Sequence, residues 1–175
     1  MRLWVILFGL AFLVAACGAA DANQDQKPEI IAALDAEKQA VARTLDRFHD
    51  AAAKADGETY FALFAEDGVF IGTDAGERWS VSEFKAYAEP HFFKGHGWTY
   101  VPAERHIDLA PGENVAWFDE ILMNEKYGTS RGTGVLVRSK EGWKIAQYHL
   151  TFPIPNALGA EITAKIKAFE ASRTK

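Results

Sequence analysis

The chain of 175 residues has very little of what several large classes of protein require. It contains a single cysteine, Cys17, so a disulfide bond within the chain is excluded. Its 19 lysine and arginine residues are outnumbered by 24 aspartate and glutamate residues, which gives a formal net charge of −5. A nucleic-acid-binding surface needs a surplus of positive charge against the phosphates, and this composition offers none. We therefore expect no nucleic-acid partner and no disulfide scaffold.

Recognisable metal, cofactor and nucleophile motifs are scarce as well. His91 and His96 lie five residues apart, and no third metal ligand follows them at a spacing typical of zinc sites. The segment 131–134 (RGTG) contains two glycines but lacks the lysine of a phosphate-binding loop. No serine or cysteine stands in a motif typical of a nucleophilic triad. The sequence therefore predicts no metal site and no cofactor.

The N-terminus has the clearest pattern in the chain. Arg2 precedes an apolar run, Leu3–Ala16, that is shorter than the about 20 residues needed to span a bilayer as a helix. A positive residue, a short apolar run and then small residues are typical of a signal peptide. Ordinary cleavage at the small residues 18–20 (GAA) would release a soluble protein, and this interpretation stays open here.

Residues 14–17 (VAAC) resemble the lipobox of bacterial lipoproteins, in which cleavage leaves a lipid-modified cysteine at the new N-terminus. The resemblance implies a signal peptide over residues 1–16, lipidation of Cys17 and attachment to a membrane through the acyl chains. Gly18, rather than aspartate, follows the cysteine, which in such lipoproteins implies the outer membrane of the cell envelope, facing the periplasm. The small and polar segment 17–28 predicts a flexible tether.

The remaining chain, residues 29–175, is expected to form one domain that begins with helices. Apolar residues at helical spacing predict a long first helix from Glu29 to Asp56. His49 lies off its apolar face and is expected to contact solvent. A short second helix is expected around Tyr60, and Ser80–Glu83 (SVSE) is a capping box that predicts a third. The apolar face of the first helix comprises Leu34, Val41, Leu45, Phe48 and Ala52.

After Gly97 the apolar pattern changes from helical to alternating, which predicts strands. Short connections carrying glycine or proline separate these strands, so successive strands are expected to pair antiparallel. Apolar residues at helical spacing after Asn156 predict a C-terminal helix. Helices followed by such strands indicate an α+β fold, a curved antiparallel sheet wrapped over the N-terminal helices around a cone-shaped hollow. The predicted strands are Val69–Ile71, Trp98–Leu109, Val115–Asn124, Arg131–Arg138 and Trp143–Phe152.

The domain resembles the SnoaL-like members of the nuclear transport factor 2-like superfamily over about residues 35–152. The resemblance rests on residues 61–71 (FALFAEDGVFI), residues 131–137 (RGTGVLV) and residues 142–151, which include GWKI and HLT. It implies the cone-shaped fold with a pocket for small molecules. It implies little about any reaction, because the superfamily includes isomerases, cyclases, dehydratases, ligand binders and oligomerisation modules.

The last strand carries the first pair of candidate site residues. Strict alternation from Trp143 places Gln147 and His149 on the same face as Ile145, which we expect to be the inner face. A histidine there can exchange protons near neutral pH, and Gln147 can contact a ligand beside it. The resemblance likewise implies a pocket-lining histidine at this place. The alternative is a histidine that is hydrogen-bonded within the core and has no catalytic duty.

Two adjacent acids, Asp119 and Glu120, interrupt an apolar strand. Neighbouring strand residues face opposite sides, so only one of the two can point inward to a ligand. A carboxylate removed from water has a raised pKa, which would suit a general base. The alternative is a structural ion pair with Arg105 or Arg131, since either guanidinium can neutralise the inward-facing acid.

The remaining candidates lie at the expected rim of the hollow. Asp74 follows the first short strand, where the resemblance implies an acid that acts on a bound substrate. An ordinary turn over residues 74–76 (DAG) explains Asp74 equally well. Trp79, Trp98 and Tyr100 offer stacking surface for a flat ligand, and core packing explains them nearly as well.

Three functions follow from these expectations. The first is an envelope lipoprotein that binds a small, mostly apolar molecule in the hollow. The second is an acid–base enzyme of isomerase, dehydratase or cyclase type, with Asp74 or Glu120 as base, His149 as acid and Arg131 as electrostatic partner. The third is a homodimer joined through the outer face of the sheet. The contact surface of that dimer would comprise Tyr148, Leu150 and Phe152.

Overall fold

The computed structural model describes residues 21–173, with side chains from residue 28 onward. The predicted signal peptide and the lipidation site at Cys17 lie outside the described residues. The chain divides at Leu34 into two units, and residues 21–33 of the first unit are helical. No helix of the described part is long and apolar enough to cross a membrane.

Three helices precede most of the sheet, as the sequence predicts. Helix α1 (Asp21–Ala53) begins within the segment predicted as a tether, and its predicted apolar face is buried from Val41 to Ala52. Helix α2 (Gly57–Ala62) is capped by Asp56, whose carboxylate accepts the Thr59 N–H at 3.0 Å. Helix α3 (Val81–Phe92) begins at the predicted capping box, and both of its hydrogen bonds are present.

Six strands form one curved, mixed sheet in the order β2-β1-β6-β5-β4-β3. Most neighbours pair antiparallel, but β1 and β6 run parallel, so the sheet is not antiparallel throughout. The sequence does not indicate this pairing. The polar residues 66–68 (EDG) are typical of a turn, so only Val69–Ile71 was predicted as a strand. The strands are β1 (Phe64–Ile71), β2 (Arg78–Ser80), β3 (Val101–Leu109), β4 (Val115–Asn124), β5 (Gly128–Ser139) and β6 (Gly142–Thr151).

The pairing of β6 with β5 contains one irregularity that decides which side chains face inward. Val135 pairs with Gln147 and Leu136 pairs with Ile145, which leaves Ala146 without a partner in the ladder. An extra residue of this kind is a β-bulge, and it reverses the alternation of side chains beyond it.

The prediction that Gln147 and His149 face the hollow is therefore wrong. Tyr148 is 2% exposed within the core and Leu150 packs against the core, so the side chain of His149 lies on the outer face between them. Tyr148 and Leu150 were also predicted to form part of a dimer surface on the outer face, and this is wrong because both side chains face the core. Dimerisation itself stays a prediction.

Two glycines of β5 allow close packing beneath the bulge. A methyl group at Gly134 would overlap the carbonyl oxygen of Gln147 and lie 2.8 Å from a ring carbon of Phe118. A methyl group at Gly132 would overlap the Tyr148 hydroxyl. The segment 131–134, which lacks the lysine of a phosphate-binding loop, is thus a site of close backbone and side-chain approach.

The C-terminal helix is present as predicted. A 3₁₀ turn (Asn156–Leu158) leads into helix α4 (Gly159–Arg173), which has no buried residue. The apolar side chains of Ile166 and Phe169 are 43% and 61% exposed.

Candidate functional site

A cavity of ≈460 Å³ opens at one end of the sheet, between β1, β2, α3 and the end of β6. The loop before β3 and the turn between β4 and β5 complete its wall. Its size falls within the range typical of small-molecule sites. The three aromatic residues predicted as ligand contacts, Trp79, Trp98 and Tyr100, all line it.

Several aromatic rings of the cavity wall lie nearly parallel. Phe70 on β1 and Phe84 on α3 stack with centroids 3.9 Å apart and planes 10° apart. Trp79 on β2 lies nearly parallel to both, with its centroid 5.5 Å from that of Phe84 and 6.3 Å from that of Phe70. The Trp79 ring also lies 5.1 Å from that of Tyr87. Phe70 and Phe84 are buried, whereas the half-buried Trp79 leaves part of its flat, apolar ring available to a ligand.

A second, small cavity of ≈20 Å³ lies against the inner end of the first. The two share the side chains of Phe70, Trp98, Tyr100 and Leu150 as walls. A volume of this size is about what one water molecule needs. The small cavity is also lined by His49, Tyr60 and Tyr148, three core residues that carry polar groups.

Behind this inner end lies a buried carboxylate with three side-chain partners. Glu120 on β4 is fully buried, and its Oε1 accepts hydrogen bonds from Nε2 of His49 at 2.7 Å and from the Tyr148 hydroxyl at 2.9 Å. Its Oε2 accepts the Nε–H of Arg105 at 2.8 Å. Because an ionised carboxylate can only accept, the proton shared with His49 resides on the imidazole.

The charge of Glu120 is maintained by these partners. Burial opposes ionisation, but the hydrogen bond and charge of His49, together with those of Arg105, outweigh it and lower the pKa of Glu120. Burial, followed by the negative charge of Glu120, raises the pKa of Tyr148 well above its usual value. The network therefore contains a stable carboxylate and a phenol that keeps its proton.

Among the described residues that line the small cavity, Tyr60 has the one fully buried side-chain polar atom without a hydrogen-bond partner, its hydroxyl. Burial raises the pKa of Tyr60 well above its usual value, and the nearby Trp98 side chain offsets only part of this increase. The two side chains do not meet the geometry of a hydrogen bond. A buried hydroxyl without a partner is costly in an apolar core. It is suited to donate a hydrogen bond to a group that enters the small cavity.

The structure resolves which predicted residues face the site. Glu120 points inward, whereas Asp119 is exposed on the outer face, so Asp119 does not reach the cavity. Arg105 is the partner of Glu120. The prediction that Arg131 serves as the electrostatic partner is wrong, because β5 directs this exposed side chain to the outer face.

Asp74 adopts the turn that was the alternative interpretation. Its carboxylate accepts the Gly76 N–H at 2.8 Å, and its side chain is exposed. The neighbouring Thr73 and Glu77 line the cavity, whereas Asp74 itself does not. Within residues 21–173, no group of three metal-ligating side chains comes together.

Sequence reasoning missed His49, Tyr60 and Tyr148 as site residues. His49 was expected to contact solvent, but it is only 8% exposed. A signal was present, because His49 lies four residues after Leu45 and three before Ala52, which places it at the margin of the buried face. Tyr148 had no such signal, since only the bulge turns it inward.

The buried network makes a prediction for Glu120→Gln. Removing the charge leaves the guanidinium of Arg105 without its buried partner, and we expect unfolding free energy near pH 7 to fall by about 3 kcal/mol. Asp119→Asn, the matched change one residue away on the exposed face, should have little effect. Urea unfolding followed by circular dichroism measures both.

The pH dependence of that difference has a definite sign. The pKa of Glu120 in the folded state lies below its ordinary value of 4.5, so the ionised carboxylate stabilises the fold above that pH. This contribution is lost as pH falls through the folded-state value. The difference in unfolding free energy between the wild type and Glu120→Gln should therefore become smaller at acidic pH. A difference that became larger there would contradict the assignment of Glu120 as a buried, ionised carboxylate.

Comparison with known proteins agrees with this architecture. The family model described as a SnoaL-like domain matches residues 41–155. No functionally curated protein matches the sequence. The following structures, all under 25% identical, support the shared fold alone.

A nuclear transport factor 2-like protein of unknown function from Pseudomonas putida KT2440 has a TM-score of 0.58 and 16% identity, covering 70% of this chain and 90% of its own. A candidate dehydratase of the same fold family from Streptomyces avermitilis has a TM-score of 0.56 and 17% identity, covering 69% and 99%. A candidate scytalone dehydratase from Novosphingobium aromaticivorans DSM 12444 has a TM-score of 0.59 and 16% identity, covering 68% and 85%. Because the family model matches well over half of the chain, this protein belongs to the SnoaL-like domain family.

Proposed function

We propose that the protein binds a small, flat, mostly apolar molecule in the ≈460 Å³ cavity. The observation that carries this proposal is the stack formed by Phe70, Phe84 and Trp79 along one wall. Phe70 and Phe84 are buried, so in this proposal the half-buried Trp79 ring, supported by them, stacks on a planar ligand. Tyr60, at the inner end, supplies an unpartnered hydroxyl that can receive a polar group of the ligand.

Trp79→Ala tests the role of the aromatic wall. N-phenyl-1-naphthylamine is a neutral, flat probe whose fluorescence rises in an apolar site. We expect the substitution to weaken its binding roughly tenfold, because one stacking surface and its apolar area are lost. Trp117→Ala is the matched control, since Trp117 is a 47% exposed tryptophan on the outer face of the sheet.

Fluorescence titration of the folded variants gives both affinities. Equal losses in the two variants, or no binding by the wild type, would remove the proposal. Circular dichroism on each variant separates a loss of binding from a loss of folding.

A second function, acid–base catalysis where the small cavity adjoins the larger one, is favoured by the pair formed by His49 and Glu120. A carboxylate that holds a histidine in one orientation is a common arrangement for general acid–base work. Glu120 is enclosed by its partners, so in this proposal it orients His49, and His49 exchanges the proton with the substrate. The two candidate dehydratases among the similar structures are consistent with a reaction of this type.

Proton exchange can be followed without knowing the natural substrate. 2-Tetralone is a flat ketone whose protons next to the carbonyl exchange with deuterium oxide, and mass spectrometry counts the exchange. We expect the wild type to accelerate it and His49→Gln to lose most of that acceleration, by about a hundredfold or more. His149→Gln, on the outer face, is the control. Catalysis that survives in His49→Gln but fails in His149→Gln would reverse the assignment.

The cellular location belongs to the same proposal. We propose a lipid-anchored protein of the bacterial envelope, held in the outer membrane by Cys17 and facing the periplasm. Support comes from the apolar leader and the resemblance of residues 14–17 to a lipobox. Several acyl chains on one cysteine would give a stable anchor.

Cys17→Ser tests the anchor directly. In bacterial cells the wild type should fractionate with membranes and carry an acylated N-terminal cysteine, visible in the mass of the intact protein. Cys17→Ser should lack the added mass and leave the lipoprotein pathway. Identical masses after allowance for the substitution would show that Cys17 is unmodified.

A further inference from the structure

The cavity is lined by one lysine that forms no ion pair with any described residue. Lys126, in the turn between β4 and β5, lines the cavity. None of the ion pairs within residues 21–173 involves it, and its Nζ lies 4.8 Å from the centre of the Tyr127 ring. The neighbouring Tyr127 hydroxyl raises the pKa of Lys126, so the ammonium stays charged.

The turn that presents Lys126 is rigidly built. The Asn124 side-chain oxygen accepts the backbone N–H groups of Lys126 at 3.0 Å and Tyr127 at 2.8 Å. The Asn124 side-chain amide donates to the Thr99 carbonyl at 2.9 Å, which ties the turn to the loop carrying Trp98. The Tyr127 ring also stacks on Phe152 at 4.8 Å. The Lys126 side chain therefore extends from a turn whose backbone is held in place by hydrogen bonds.

Among the described residues, one carboxylate, that of Glu77, lines this cavity, and it is hydrogen-bonded within its own turn. Oε2 of Glu77 accepts the Asp74 N–H at 3.1 Å, and the Glu77 side chain covers Gly72. His91 and His96 also line the cavity. The Glu77 carboxylate keeps its charge, but it is held within its own turn and forms no ion pair with Lys126. The Lys126 ammonium can therefore pair with an anionic group of a ligand.

We propose that the ligand is an amphipathic anion, with a flat apolar body stacked on the aromatic wall and a carboxylate at the mouth beside Lys126. This inference rests on the proposed binding function and adds the chemical class of the ligand. Tyr100 and Tyr127 line the same cavity, and their hydroxyls can donate further hydrogen bonds to the anion. The apolar body then extends inward towards Trp79 and the small inner cavity.

Two isosteric probes test the anion without a known natural ligand. 1-Naphthaleneacetate and 1-naphthaleneacetamide share one aromatic body and differ in the charge of one group. Each displaces N-phenyl-1-naphthylamine from the folded wild-type protein at pH 8 and low salt. We expect the carboxylate to bind roughly three- to tenfold more tightly than the amide, and this ratio should shrink as salt is added.

Lys126→Met should bring the ratio of the two affinities close to one, and Lys126→Arg should preserve the preference for the carboxylate. Lys140→Met is the matched control, because Lys140 is an exposed lysine in the turn between β5 and β6. It removes the same charge from the molecule at a distance from the cavity and should leave the ratio as in the wild type.

The outcomes separate this inference from the function on which it rests. Equal binding of both probes by the wild type would overturn the anionic ligand and leave the binding function in place. A preference that persists in Lys126→Met, or one for the amide, would also overturn it. Absence of all binding, including that of N-phenyl-1-naphthylamine, would overturn both.

Discussion

The ionised carboxylate of Glu120 lies between α1 and the sheet, and the position of α1 depends on it. A charge without water is tolerated only where partners surround it. Those partners come from three elements, His49 on α1, Arg105 on β3 and Tyr148 on β6. Arg105 also contacts α1, because its Nη1 donates a hydrogen bond to Oδ1 of Asp46 at 2.7 Å. A helix displaced by one turn would leave these charges unpaired, so the network selects one register that apolar contacts alone would not distinguish.

The same network needs the irregular part of the sheet. Tyr148 reaches Glu120 only because the bulge at Ala146 turns it inward, and Gly132 leaves the room that its hydroxyl occupies. The bulge also turns Leu150 towards the cavity. One backbone irregularity therefore serves both the stability of the core and the shape of the binding site, as is common for bulges near functional sites.

The sequence predicted what depends on local pattern. The capping box at Ser80, the apolar face of α1 and most strands are where the periodicity placed them, because these features need only neighbouring residues. The aromatic wall was also predicted in part, with Trp79 and Trp98 at the cavity.

The predictions that were wrong concern features that depend on contacts between residues far apart in the chain. The reversal at Ala146 comes from the register between two strands, and no property of Ala146 itself announces it. His149 was therefore placed on the wrong face, and Tyr148 was missed. His49 was missed because its partner, Glu120, is 71 residues away in the chain. Pairing at that distance cannot be inferred from one sequence by periodicity.

The parallel pairing of β1 with β6 has a consequence for the order in which the site comes into being. Phe70 pairs with Tyr148, which lies 78 residues later in the chain, and loops of this size are slow to close. A chain emerging from the ribosome can form α1 and α3 early, but it has no cavity until β6 is available to join β1. The cavity therefore forms late in folding. A molecule that binds in it stabilises the contacts between β1 and β6, and it can thereby slow unfolding that begins with the loss of those contacts.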